Sequence, residues 1–166
     1  MKKDKNQLKY MIQGIYTLVI FLSEEITLEI GKLGNHRFPE GYYTYTGSAL
    51  GKGSTNLKNR LKRHSRKNKR KFWHIDYLLA NEKSSIEVII AAKTSEKKEC
   101  ILNNFLQRLK GTIVQVNGFG SSDCKNRCSA HLLFFPELTK KEFLVNKILV
   151  HLSSEMKIQN VDVIYN

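Results

Sequence analysis

Residues 45–64, Y-T-G-S-A-L-G-K-G-S-T-N-L-K-N-R-L-K-R-H, leave the chain little choice of local structure. A tyrosine-bearing strand has to end near Gly47, because Gly51 and Gly53 follow and the intervening loop is built for tight backbone turns. Ser54 or Thr55 then offers a helix N-cap, and Leu57 and Leu61 recur one turn apart, as a helix burying one stripe requires. Arg60 and His64 are also four apart and share a second face. A guanidinium and an imidazole beside a glycine-rich loop suit a phosphodiester, since arginine's planar fork takes two phosphate oxygens and keeps its charge. A solvated basic helix after an ordinary glycine loop is the alternative reading of the same residues.

The remainder of the chain reads as an α/β (α+β) domain with a small, mostly antiparallel sheet flanked by helices. Met11 to Leu22 is rich in Ile, Val, Tyr and Phe and predicts a central strand. Ile26 to Ile30 alternates apolar and polar, Gly31 to Gly41 is a connecting loop, and Gly41 to Gly47 is a third strand. Together these three predict an antiparallel meander, with Tyr43 and Tyr45 on one face of the third strand and Tyr42 on the other. The basic helix is expected to run to about Lys67, and Phe72 to Asn81 to form a short apolar helix. Ile86 to Ala92 predicts a buried strand. A helix capped by Ser95 carries the stripe Ile101, Leu102, Phe105, Leu106 and Leu109, and ends at Gly111. Short strands follow at Ile113–Val116 and His131–Phe135, then an amphipathic helix over Leu138–Leu152 and a final edge strand. The expected organisation is a flexible basic N-terminus over 1–10, one domain over 11–136, and a helical extension over 137–166 packed on that domain.

Charge narrows the function classes. Twenty-eight Lys and Arg against fifteen Asp and Glu give a net charge of +13. The bases cluster at Lys52, Lys58, Lys62, Arg63, Arg66, Lys67, Lys69, Arg70 and Lys71, interleaved with Leu57, Leu61, Phe72 and Trp73. Such a cluster is the electrostatic footprint of a nucleic-acid binder, whose affinity comes from released counterions, and the apolar interleaving argues against a disordered tail. No stretch has the length and apolarity of a membrane span, and no signal-peptide pattern opens the chain. A soluble, cytoplasmic protein with no membrane partner is the expectation.

Gly14-Ile15-Tyr16 and Tyr45-Thr46-Gly47 resemble the two signatures of the GIY-YIG nuclease superfamily. Asn56 to Leu61 (N-L-x-x-R-L) with His64 one turn later looks like that family's catalytic helix, and Glu99 matches its metal-binding carboxylate. The runs F-W-H-I-D-Y-L-L and G-F-G-S-S-D-C are similar to a small stand-alone, Uri-type branch best known from archaea. The resemblance spans Gly14 to Phe135. It departs from the family pattern in Thr46, in the long stretch from 17 to 44, and in the family's later asparagine, for which Asn117 and Ser122 are both open. It implies a GIY-YIG-like fold over 11–136 and a metal-dependent endonuclease acting on DNA, with branched, damaged and single-stranded forms as candidate substrates. Tyr16 is then the general base or water-positioning group, its pKa lowered by Arg60 and a metal, and Tyr45 orients the water or contacts the phosphate. Arg60 holds the phosphoryl oxygens, His64 donates to a phosphate or assists Tyr16, and Glu99 binds one Mg²⁺ or Mn²⁺. A non-catalytic nucleic-acid-binding module and a zinc-stabilised interaction protein are the alternatives.

Cys124, Cys128 and His131 carry zinc-type donors at a spacing that converges across a turn, and a fourth ligand would come from Cys100, His74 or Asp123. Two free thiols and a strand histidine is the simpler reading. His74 and Asp76, polar residues inside an apolar run, either border a site or hydrogen-bond each other in the core; the second is the expectation.

Overall fold

The computed structural model describes residues 12–166. The basic segment 1–10 and the first residue of the predicted 11–22 strand lie outside the described residues. The centre of the fold is β1 (Gly14–Leu22), whose near-continuous apolar run marks a strand covered on both faces. It is followed by β2 (Ile26–Glu29), β3 (Asn35–Phe38) and β4 (Gly41–Ala49). Then come α1 (Leu57–His64), α2 (His74–Ala80), β5 (Ser84–Lys93), α3 (Glu99–Gln107), β6 (Leu132–Phe135), α4 (Lys141–Ser154) and β7 (Val161–Tyr165). Five strands form one antiparallel sheet in the order β6-β4-β1-β5-β7, so the fold is α+β as the sequence predicts. Among the described residues no helix is long and apolar enough to cross a membrane.

The predicted three-stranded meander is not what forms. β1 pairs directly with β4 along its whole length, from Gly14 opposite Ala49 to Leu22 opposite Gly41. β2 pairs instead with β3 in a separate two-stranded hairpin, and β3 occupies part of the segment read as loop. Its four residues, Asn-His-Arg-Phe, bury only Phe38 and so carry little apolar signal. The helix boundaries shift as well. α1 stops at His64 rather than Lys67, and its N-cap is Asn56, whose side chain accepts from the Asn59 N–H at 2.9 Å, not Ser54 or Thr55. α3 begins at Glu99 without a side-chain cap and ends at Gln107, short of Gly111. The predicted strand at Ile113–Val116 reduces to one bridge between Ile113 and Phe134. The C-terminal segment contributes a strand as well as a helix, because β7 pairs with β5 at the sheet edge.

Alternation along β1 sorts two cores. Tyr16, Leu18, Ile20 and Leu22 face α1, α2 and the β2–β3 hairpin, together with Tyr43, Tyr45, Leu57, Leu61, Leu78 and Phe119. Ile15 and Val19 face α3 and α4, meeting Leu102, Leu106, Leu144 and Ile148. Tyr43 and Tyr45 share the first face and Tyr42 takes the second, as the period of two demands. Two glycines matter through close approach. A Cβ at Gly14 would strike the carbonyl oxygen of Ala92 in the neighbouring strand, and one at Gly47 would lie 2.6 Å from the Tyr16 hydroxyl oxygen. Gly47 sits opposite Tyr16 in the β1–β4 register, so its bare backbone is the shelf over which the phenol lies.

Candidate functional site

α1 leaves the glycine loop against β4, and its inner stripe places His64 in the core beneath β1. The Tyr16 hydroxyl lies 2.8 Å from His64 Nε2, and the two rings are tilted at 5.4 Å. The edge of Tyr45 faces the same imidazole at 6.1 Å. Arg60, one turn before His64, donates from Nη1 to the Ser48 carbonyl at 3.0 Å and stacks on the Trp73 indole at 4.8 Å. Its Nε is buried without a hydrogen-bond partner. The guanidinium is therefore braced along one edge and unsatisfied on another.

Burial sets the titration of this group. It raises Tyr16 well above the ordinary phenol value, with Tyr45 adding to the rise and Arg60 opposing it. Tyr45 is pushed up to about 12 by burial. The expected lowering of the Tyr16 pKa is thus reversed in the folded chain, because loss of hydration outweighs one guanidinium. His64 is held down at about 3, by burial first and then by Lys69, with Arg60 and Arg63 in the same direction and Asp76 opposing. The imidazole is neutral over the working range, its Nε2 free to accept from the Tyr16 hydroxyl and its Nδ1 buried without a partner.

Glu99 reaches this group from an unexpected direction. The apolar residues of α3, Leu102 and Leu106, pack in the core on the far face of the sheet from Tyr16. β6, however, pairs only with Tyr42–Tyr45, and after one more backbone bond, from the Thr46 N–H to the His131 carbonyl, no further strand pairs with this edge of β4. The first turn of α3 comes past this edge, and Glu99 lines the same cavity as Tyr16, Tyr45, Arg60 and His64. That cavity has a volume of about 810 Å³ and is also lined by Gly47, Ser122 and Asp123. Glu99 is 9% exposed, and its Oε2 is buried without a hydrogen-bond partner. All five residues predicted to act together line one concavity. Ser122, one of the two positions left open for the family's asparagine, lines it too.

Residues 15–154 match the family described as domain of unknown function DUF123. The chain belongs to the DUF123 family. No curated protein and no solved structure matches it. The matched span of the DUF123 chain contains every cavity residue named above.

A second cluster forms part of the cavity wall of this DUF123 protein. Cys100, Cys124, Cys128 and His131 bring their donor atoms within 4.8 Å of one another, a group that can hold a metal ion. Cys100 Sγ lies 3.4 Å from Cys124 Sγ and 3.8 Å from His131 Nε2. Of the three residues considered for the fourth position, Cys100 takes it. His74 accepts instead from the Gly120 N–H at Nδ1, at 3.0 Å, and borders the cavity. The predicted His74–Asp76 hydrogen bond is absent. Asp76 is fully buried and accepts from Arg63 at 2.6 Å and from the N–H groups of Phe72 and Trp73 at 3.0 Å each.

The basic run divides in two. Arg63 is bound to Asp76 and stacks on Trp73 at 4.8 Å, and Lys67 donates to the carbonyls of Asn81 and Ser84. Lys69 has a side chain only 3% exposed and caps the end of α1 by donating to the Arg63 and His64 carbonyls. These three cations serve the fold of the DUF123 domain. Lys52, Lys58, Lys62, Arg66, Arg70 and Lys71 remain exposed to a partner. Nothing in a run of like residues distinguishes a buried lysine from a solvated one.

The depressed His64 value predicts a pH effect with a definite sign. Unfolded, the imidazole takes a proton below about 6.5; folded, it does so only near 3. Its contribution to stability is complete above pH 6.5 and is lost as pH falls from 6.5 to 3. In urea titrations near pH 5, the wild type should take up about one more proton on unfolding than His64→Gln does. Equal pH slopes for the two proteins would show that His64 is not buried neutral.

Proposed function

We propose that this DUF123 protein is a metal-dependent endonuclease of the GIY-YIG type that hydrolyses DNA phosphodiester bonds. The observation that carries the reading is the shared cavity: two phenols, a guanidinium, an imidazole and a carboxylate from β1, β4, α1 and α3 line one concavity. Phosphodiester hydrolysis needs a phosphate grip, an activated water and neutralisation of growing charge. Arg60 supplies the grip, with its buried, unpartnered Nε edge available to a phosphoryl oxygen.

The Tyr16–His64 pair supplies proton transfer by relay rather than through a preformed phenolate. Tyr16 donates its proton to the neutral Nε2 of His64 as its oxygen accepts one from the attacking water, so the phenol stays neutral, and the positive charge that burial makes costly on the imidazole is offset by the negative charge growing on the phosphate. Tyr45 orients the water. The unpartnered Oε2 of Glu99 fits a hard divalent cation, and Asp123 lines the same space. Mg²⁺ or Mn²⁺ held there would offset negative charge on the phosphate. The cysteine–histidine cluster is a soft donor set suited to zinc and belongs to the frame of the site, not to its hydrolytic chemistry. The exposed cations Lys52, Lys58, Lys62, Arg66, Arg70 and Lys71 would guide the DNA backbone, giving affinity and register without base identity.

The test is nicking of plasmid, branched, damaged and single-stranded DNA, with Mg²⁺ or Mn²⁺ and with neither. Wild type is expected to cut only with the metal, and Glu99→Ala to lose cleavage while keeping DNA binding. Cleavage surviving in Glu99→Ala would put the metal elsewhere. Binding without cleavage on every substrate would make the domain a nucleic-acid-binding module.

A further inference from the structure

Two features of α3 stand apart in the fold. Its body is well anchored: Leu102 and Leu106 are buried, and Asn103 Nδ2 donates to the Ala130 carbonyl at 2.7 Å. Its first turn lacks a side-chain cap: Lys98 at the N-cap makes no side-chain hydrogen bond to the helix. Yet this is the turn that carries Glu99 past the open edge of β4, and the next residue is Cys100. Facing Cys100 across the cavity wall is a turn that brings Cys124 and Cys128 together. In it the Arg127 N–H donates to the Cys124 carbonyl at 3.2 Å, and Arg127 itself has a φ of 54°. His131 is held by two backbone bonds, its N–H donating to the Phe119 carbonyl at 2.8 Å and its carbonyl accepting from the Thr46 N–H at 3.1 Å.

The donor set and its spacing suit zinc. Zinc bound tetrahedrally, with bonds of about 2.3 Å to sulfur and about 2.0 Å to nitrogen, spaces its ligands about 3.5–3.8 Å apart. The observed 3.4 Å and 3.8 Å separations fit that spacing, and 3.4 Å is far too long for a disulfide. Three thiolates and one imidazole fill all four positions, leaving none for a water or substrate, which is the pattern of a structural and not a catalytic zinc.

We infer that a zinc ion held by Cys100, Cys124, Cys128 and His131 staples the first turn of α3 to the 121–131 loop and thereby sets Glu99 in the cavity. The metal site stands on its own geometry; only its service to a hydrolytic Glu99 rests on the nuclease reading. A hydrogen bond joins the 121–131 loop to the body of α3 at Asn103, whereas the ion would tie it to the first turn at Cys100, so its removal should loosen that turn and the loop selectively. The strands β1 and β5, paired along most of their length, should be unaffected.

The test uses the full chain purified without added zinc or chelator. Elemental analysis is expected to give about one zinc per chain, and cobalt substitution to give the visible absorption of a tetrahedral thiolate complex. Cys124→Ser and Cys128→Ser should each lose most of the metal. Stripping zinc from the wild-type protein with a thiol-competing chelator should speed amide exchange at residues 99–107 and 121–131, and leave β1 and β5 protected. Readdition of zinc should reverse this, which keeps the test valid if a variant fails to fold. In the stripped protein Mn²⁺ binding, read by electron paramagnetic resonance, should weaken about tenfold or more while DNA binding holds. Absence of stoichiometric zinc, or its retention in both serine variants, overturns the site. Zinc that is bound but whose loss leaves exchange at 99–107 and Mn²⁺ binding unchanged overturns the positioning role. A wild type that binds zinc as described but cuts no DNA defeats only the nuclease reading.

Discussion

Arg60→Ala is expected to slow DNA cleavage by about 10²–10³-fold, the usual cost of deleting one charge-stabilising donor in a preorganised site. The loss should fall on the chemical step. Six exposed cations remain on the basic segment, so removing one part-buried guanidinium takes away at most one phosphate contact, and the salt dependence of binding should flatten by no more than about one counterion. Arg60→Lys is the sharper probe. An ammonium keeps the charge but cannot brace on the Ser48 carbonyl, lie on the Trp73 ring and present a second N–H edge at once. It should recover only a small part of the lost rate. If Arg60→Lys cuts at near the wild-type rate, the fork geometry is irrelevant and Arg60 acts only as a point charge. If Arg60→Ala cuts within a factor of a few of wild type, the phosphate is held elsewhere.

How far the sequence announced these features depends on the length scale of the signal. β1 was legible because a strand covered on both faces must be apolar nearly throughout, and nine consecutive residues say so. The four-residue spacing of Arg60 and His64 put them on one side of a helix, but it did not show that His64 joins Leu57 and Leu61 in the buried stripe while Arg60 stays partly exposed. Pairing order did not follow, because β2 and β3 are four residues each and their hairpin competes with the β1–β4 pairing through contacts the pattern does not encode. Glu99 was recognisable by likeness alone. Its route into the cavity depends on β6 being too short to cover the end of β4, a tertiary fact. Cys100 is separated by twenty-four residues from Cys124, so ligand spacing named it only as one candidate among three. The titration of Tyr16 went against expectation for a similar reason: a neighbouring cation can be read from sequence, whereas the extent of burial cannot.

Asp76 is the residue whose loss should damage the fold most. Its carboxylate is fully buried, and burial alone would raise its pKa. The N–H groups of Trp73 and Phe72, then the Arg63 guanidinium, more than offset that and hold it below the ordinary carboxylate value. Asp76→Ala removes all of these acceptors at once. It leaves Arg63 without its anion, and leaves the buried ammonium of Lys69, already lowered to about 8 by burial, without the carboxylate that opposes that shift. Breaking a buried pair from one side costs about 3–5 kcal/mol, against a total stability of about 5–15 kcal/mol for a typical domain. Urea unfolding at neutral pH should show a loss of this size. Asp76→Asn can still accept from the Trp73 N–H and should lose less. The damage should also reach the cavity, because Arg63 and Arg60 both stack on Trp73, and Asp76 fixes the backbone at Trp73. Under conditions where Asp76→Asn stays folded, it should bind DNA and cut it more slowly than wild type, although Asp76 does not line the cavity. An Asp76→Ala protein within about 1 kcal/mol of wild type would mean that the charges rearrange freely, and that the frame around Arg60 is looser than its contacts imply.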